Sequence, residues 1–292
     1  MKKTIASSEL LLNPDGSIYH LHLKPGQIAR DIILVGDQDR VDLIAEIFET
    51  IEFRVQNREF VTVTGTYKGK RISVVSTGIG TDNIDIVINE LDALVNIDLE
   101  IREIKSELTS LNFIRIGTSG ALQRDIPVNS FLMSDKAIGF DGLLNFYARR
   151  EEISDPDFEK AFISYTNWNQ LLASPYVVSC DTNLQKRIID DEFITGITIS
   201  APGFYGPQGR ELRLSIADQT INANIESFRY NDLKITNYEM ECSAIYGLSK
   251  LLGHQALTVC LIIANRITLQ ASIDYRPVII RLAKKILDKL TQ

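Results

Sequence analysis

The stretch DIILVGDQDRVDLIAEIF, Asp31 to Phe48, decides the class of fold. Ile32 to Val35 form an apolar run that stops at Gly36-Asp37, and from Asp39 onward the apolar residues recur at helical spacing, at Val41, Ile44 and Ile47. A buried strand turning through glycine into an amphipathic helix is the opening unit of an α/β layer. The pattern continues along the chain. EFVTVTGTY (59–67) and RISVVSTG (71–78), joined at KGK, read as a hairpin, and TDNIDIVINELDALV (81–95) returns to helical period. LNFIRIGTSG (111–120) is a strand ending in a glycine loop, and SFLMSD (130–135), PYVVSC (175–180) and FITGITIS (193–200) add further strands. The C-terminal part alternates strand LKITNY (233–238), helix ECSAIYGLSKLLGH (241–254), strand ALTVCLIIANR (256–266) and a final amphipathic helix YRPVIIRLAKKILDKL (275–290). No linker, internal repeat or low-complexity segment divides the chain. The expectation is a single α/β domain over residues 1–292, with a central mixed β-sheet flanked by helices.

With 292 residues and 45% hydrophobic content the chain can bury a sizeable core. Ser7, Ser8 and Glu9 interrupt the N-terminal apolar residues, so a cleavable signal is not expected, and no run approaches membrane-spanning length. Cys180, Cys242 and Cys260 are odd in number and lack metal-ligand spacing, which suits a reducing, cytoplasmic compartment. A net charge of −7, without basic runs, argues against nucleic acid and anionic membranes as partners. It leaves room for a small anion where arginines converge.

Ligands of such sheets collect at strand ends, and several strand ends here carry unusual residues. In GDQDR (36–40), a glycine leads into a helix beside Arg40, a combination able to hold an anion. STGIGTDN (76–83) fails the dinucleotide pattern because Asn83 stands where a third glycine belongs, and no Walker A lysine motif exists. RIGTSG (115–120) offers Arg115 within the strand and Thr118 at its end. FYGPQGRELR (204–213) holds Phe204, Gln208 and Arg210, an aromatic, an amide and a guanidinium suited to the carbonyl and N–H edge of a planar heterocycle. NYEMEC (237–242) places Glu239 and Glu241 two residues apart. In a helix they would point about 200° apart, so they share one site only where the chain is still extended.

Together these segments resemble the nucleoside phosphorylase-I family, most closely its uridine phosphorylases, over roughly Tyr19 to Arg266. GDQDR resembles the family's GDPxR loop, with Gln38 replacing proline, and NREF, STGIG, RIGTSG, FYGPQGR, YEMEC and NR follow in the family's order. The resemblance implies phosphate held by Gly36, Arg40, Arg115 and Thr118, with Arg58 supplied by a neighbouring subunit. It implies ribose held by Met240 and Glu241, with Glu239 contributing indirectly and His20 coming from across the interface. Phe204, Gln208 and Arg210 would meet the base, and Arg266 would sit near it and help a loop close. Glu59, Ile79 and Asn83 fall where some bacterial members hold a monovalent cation, K+, although Asn83 replaces the serine expected there. Inorganic phosphate would be a co-substrate rather than a cofactor, and the resemblance implies a homo-oligomer, either a dimer or a hexamer built as a trimer of dimers.

The residue types suit phosphorolysis. Arginine pairs bidentately with phosphate oxygens, and a carboxylate accepts from ribose hydroxyls while favouring an oxocarbenium-like sugar. Arg115, Glu241, Arg210 and Gln208 are therefore the expected catalytic set. Purine-specific relatives typically carry an aspartate in the segment occupied here by Ala264 to Arg266. Donors at Gln208 and Arg210 suit instead a uracil leaving as an anion, so uridine is expected over inosine or adenosine, and phosphorolysis over hydrolysis. The competing readings are a purine or broad-specificity phosphorylase and a non-catalytic nucleoside binder. His20 and His22 read as alternating strand neighbours without a third metal ligand, His254 as a helix-end residue complementing the dipole, and Trp168 as a packing residue. Residues 94–110 form a longer segment than the compact bacterial enzymes carry, one able to alter assembly.

Overall fold

The computed structural model describes residues 4–292. The opening stretch forms β1 (Asp31–Val35), buried at every residue, and α1 (Gln38–Ala45), whose N-cap Asp37 accepts the Arg40 amide. A strand apolar on both faces is what a covered parallel sheet requires. An antiparallel meander follows, β2 (Thr50–Asn57), β3 (Phe60–Tyr67) and β4 (Lys70–Ser76), then α2 (Thr81–Asn96). β2 lies outside the expected elements, although its Ile51, Phe53 and Val55 alternate; it is a largely exposed edge strand. Residues 97–104 make a small hairpin of β5 (Ile97–Asp98) and β6 (Glu103–Ile104). The rest of the chain is β7 (Asn112–Ala121), β8 (Phe131–Gly139), α3 (Pro156–Thr166), β9 (Tyr176–Ser179), α4 (Thr182–Ile188), β10 (Phe193–Ser200), α5 (Ile221–Ser227), β11 (Arg229–Tyr230), β12 (Leu233–Glu239), α6 (Cys242–Leu252), β13 (Gln255–Asn265), β14 (Gln270–Ala271) and α7 (Arg276–Leu290).

Twelve strands form one mixed sheet flanked by the helices. β4, β1, β7 and β13 run parallel, as do β8, β10 and β12, and the two groups meet where β13 pairs antiparallel with β8. The sheet curls far enough for β12 to pair also with β7, Asn237 opposite Ala121 and Tyr238 opposite Gly120. Those are C-terminal residues of both strands, so the two parallel groups aim their C-terminal ends at one place. The main core packs α1, α2, α6 and α7 on the sheet through residues such as Val41, Ile88, Ile245 and Leu282. α2 and α7 present the apolar stripe of surface helices, Ile84, Val87, Ile88 and Leu91 in the first and Ile279, Leu282, Ala283 and Ile286 in the second. A second cluster rich in aromatics, including Phe140, Phe158, Phe162 and Phe228, backs Tyr238, and Trp168 packs there as expected, 4.5 Å from Phe140.

One histidine expectation is corrected: His20 and His22 lie outside any strand, with His22 at φ +57, and His20 Nδ1 sits 2.6 Å from Glu90. His254 follows the C-cap Gly253, at the helix end expected of it, and is buried, its Nδ1 accepting the Leu111 amide and its Nε2 3.1 Å from Asp92 on α2.

Candidate active site

The converging strand ends enclose a cavity of 290 Å³. Its walls come from the loop after β1, the end of β7, the Phe204–Arg210 loop, the β12–α6 junction and the end of β13. Of the residues singled out from sequence, Gly36, Arg40, Arg115, Thr118, Phe204, Gln208, Arg210, Glu239, Met240, Glu241 and Ile79 line it. Residues as far apart in the chain as Gly36 and Ala264 meet there, brought together in part by the pairing of β7 with both β13 and β12.

At one end lie two buried guanidinium groups. Arg40 Nη2 pairs with the α1 cap Asp37 at 2.6 Å. Burial lowers the Arg40 pKa, and the neighbouring Arg115 charge opposes Asp37. Arg115 Nη2 donates to Glu241, and its Nε stands 3.3 Å from Glu239. Burial alone would lower the Arg115 pKa, but Glu241 and then Glu239 outweigh it and raise it. Nη1 of Arg115 is buried with no hydrogen-bond partner. Arg40 and Arg115 both border the cavity, and fixed guanidinium charges there favour an anion.

At the centre the two glutamates divide the work. Glu239 ends β12 while the chain is extended and Glu241 is the N-cap residue of α6, at φ −139°. The expected extended chain ends at Glu239: Met240 and Glu241 form a bend, Glu241 at ψ −26, and it is this bend that lets both carboxylates line one cavity. Glu239 accepts the amides of Glu241 (2.9 Å) and Cys242 (3.0 Å) and the Ser200 hydroxyl (2.6 Å), so its carboxylate caps α6. Burial first, then the Glu241 charge, push its carboxyl up to about 7 against the pull of Arg115. Glu241 accepts Arg115 with one oxygen and the Gly80 amide with the other, at 2.8 Å, which ties it to the start of α2. Gly80 at φ +98 takes a backbone conformation that side-chained residues avoid.

The other end is built by the Gly/Pro-rich loop. Gln208 is buried, its Oε1 accepting from Arg210 Nη1 at 2.5 Å, and the Arg210 guanidinium stacks 3.8 Å over the half-exposed Phe204 ring. Burial, then the Arg266 charge, lower the Arg210 pKa to about 10, which leaves it cationic at neutral pH. Arg266 does not line the cavity; it donates to the Gln208 carbonyl at 3.0 Å and so holds the loop from behind. Tyr238, Ile263 and Ala264 complete this wall. Tyr238 and Ala264 fall inside segments singled out from sequence, but they and Ile263 are ordinary core residue types whose own side chains give no signal of a site. The same holds for Ser200, which reaches Glu239 across 39 positions.

His20 and Arg58 are not brought to the cavity. Glu90 holds His20, and Arg58, at φ +53, is exposed with its guanidinium 5.6 Å from the Tyr19 ring. Gln38, where the family pattern has proline, points away from the cavity and donates to the Arg58 carbonyl at 2.7 Å. Glu59, Ile79 and Asn83 line an adjoining groove of 520 Å³. The Glu59 carboxylate and Ile79 carbonyl are hard oxygen donors suited to a monovalent cation, but Asn83 Nδ2 already contacts the Ile79 carbonyl at 3.5 Å. Among the described residues no three His, Cys, Asp or Glu side chains cluster in the manner of a metal centre.

Two buried guanidinium groups, a pair of carboxylates and the Gln208–Arg210 pair share one cavity. Residues 30–289 match the phosphorylase superfamily model, and the chain belongs to that superfamily. It is 31% identical over 274 residues to a uridine phosphorylase of Thermococcus kodakarensis, covering 92% of this chain and 84% of the relative. It is also 28% identical over 241 residues to a DeoD-type purine nucleoside phosphorylase of Listeria monocytogenes, covering 82% and 84%. Among solved structures, a Trypanosoma brucei nucleoside phosphorylase described as showing uridine phosphorylase activity superposes with a TM-score of 0.87 at 29% identity, covering 96% of this chain and 99% of that one.

Proposed function

We propose that this chain is a uridine phosphorylase, a pentosyltransferase that converts uridine and inorganic phosphate reversibly into uracil and ribose 1-phosphate. The observation that carries the reading is a single cavity in which buried Arg40 and Arg115 stand beside Glu241, with Gln208 and Arg210 at the far end. Phosphate lies against Gly36, Arg40, Arg115 and Thr118, where the two guanidinium charges meet its oxygens. Glu241 accepts from the ribose hydroxyls, Met240 packs on the sugar, and the carboxylate charge favours the oxocarbenium-like carbon as the glycosidic bond breaks. Gln208 and Arg210 donate to the uracil oxygens while the base leaves with the bonding electron pair, and Phe204 covers the ring. A phosphate oxygen forms the new bond to the anomeric carbon.

The segment Ala264 to Arg266, of which Ala264 lines the cavity, holds no carboxylic acid to protonate a purine nitrogen, which favours a pyrimidine over the purine activity of the DeoD-type relatives. Gln38 leaves the anion end intact because its amide is turned to Arg58, which weighs against a binder that has lost turnover. His20 and Arg58 are absent from their own chain's cavity, which favours a homo-oligomer, at least a dimer, in which a neighbour supplies both. Glu59 and the Ile79 carbonyl could receive K+ there, and the reaction itself rests on the arginines and carboxylates. One catalytic domain working in the cytoplasm fits free, buried Cys180, Cys242 and Cys260 and the lack, among the described residues, of a helix long and apolar enough to cross a membrane.

The test is uracil release from uridine by the purified protein with and without phosphate, with inosine in parallel. Phosphate-dependent release from uridine is the expected result. Release without phosphate would mean a hydrolase, and faster cleavage of inosine would overturn the base assignment.

A further inference from the structure

The loop that carries Gln208 and Arg210 has little structure of its own, a single 3-10 turn at Gly206–Gln208 closed by Gly209 at φ +68. It is fixed from outside. Asn222, in the first turn of α5, donates from Nδ2 to the Gln208 carbonyl at 3.3 Å and accepts the Tyr238 hydroxyl at Oδ1, 3.2 Å away. Arg266, just past β13, donates to the same carbonyl at 3.0 Å. A Cβ on Gly209 would lie 2.1 Å from Asn222 Nδ2, so the amide fills the space a side chain there would need. The half-buried Asn222 does not line the cavity, yet it links a wall residue, Tyr238, to the backbone of the residue that points its amide inward.

We propose that Asn222 is a positioning residue for nucleoside recognition: by pinning the Gln208 carbonyl it sets the direction of the Gln208 amide and, through it, of the Arg210 guanidinium. The inference rests on the reading of Gln208 and Arg210 as the base-binding pair. With the carbonyl held by two donors, the Gln208 side chain is restricted to the cavity, where its Oε1 orients Arg210. Losing one of the two holds leaves the Gln208 carbonyl bonded to Arg266 alone. Anion binding at Arg40 and Arg115 does not pass through this loop and stays as it is.

The experiment compares wild type, Asn222→Ala and Asn222→Asp, the last of which keeps an acceptor for Tyr238 but loses the amide donor. Hydrogen–deuterium exchange of the full-length protein should be several-fold faster in both variants over residues 204–212 and unchanged over β7. Uridine kcat/KM should fall about ten-fold, the size of one lost hydrogen bond, because Gln208 and Arg210 act on the leaving base, with phosphate KM within about two-fold of wild type. Unchanged exchange at 204–212, equal acceleration in β7, or wild-type behaviour of Asn222→Asp would each overturn the role of Asn222. A wild-type protein inert toward uridine would instead overturn the proposed function, and the exchange measurement would still decide whether Asn222 holds the loop.

Discussion

Replacing Arg115 by methionine tests the centre of the site most directly, because one buried guanidinium serves two buried carboxylates. Methionine keeps an unbranched side chain out to the position of Nε but removes the rest of the guanidinium and leaves Glu239 and Glu241 without their counter-charge. Breaking a buried pair from one side costs about 3–5 kcal/mol, since the abandoned charge stays desolvated. For 292 residues at ~2.1 cal/mol/K each, the unfolding entropy is ~0.6 kcal/mol/K, so Tm should fall by about 5–8 °C at neutral pH. The fall should shrink as pH is lowered and the carboxylates take up protons. The phosphate site also loses charge-assisted donors, so phosphate KM should rise roughly 10- to 100-fold. Arg115→Lys restores the charge without the planar fork, and should recover stability more than phosphate affinity. Scanning calorimetry across pH, together with phosphate titration of the initial rate, provides the assay. A variant within 2 °C of wild type at neutral pH, or one with unchanged phosphate KM, would refute the account of Arg115 as the shared counter-charge of the site.

Arg210→Ala should lower kcat/KM for uridine by about 100-fold or more while phosphate KM changes little, as seen in a steady-state matrix of both substrates; equal losses in both would remove Arg210 from the base. Glu239 carries the pH dependence of this centre: its carboxyl is raised from 4.5 to about 7, so the stability it contributes is full below about pH 4.5 and is lost as pH rises through about 7. Wild-type Tm should therefore drop relative to Glu239→Gln between those values, and parallel curves would contradict it. Gly209→Ala forces a side chain into φ +68 and against Asn222, and should destabilise by about 1 kcal/mol or more and raise uridine KM, measured by urea unfolding and kinetics.

Much of this protein is written locally. The apolar run of β1, the Asp37 cap, the period of α2 and α7 and the hairpin of β3 and β4 follow from neighbouring residues, because strand and helix periodicity are properties of a short window. The chemistry-bearing side chains Arg40, Arg115, Gln208, Arg210, Glu239 and Glu241 were equally visible, since charged and amide groups at strand ends stand out against an apolar background. What the sequence could not state is which of them touch. That Arg115 binds both glutamates, that Glu239 is occupied in capping α6, and that His20 and Arg58 stand apart from their own cavity depend on how far the sheet curls. The curl is fixed by the β7–β12 pairing, a contact more than a hundred residues long in sequence. Asn222 shows the same limit, an amide in a short helix whose significance appears only when Tyr238 and Gln208 are placed on either side of it. Side-chain type is a local property, but a site is a set of distances, and those are decided by long-range packing.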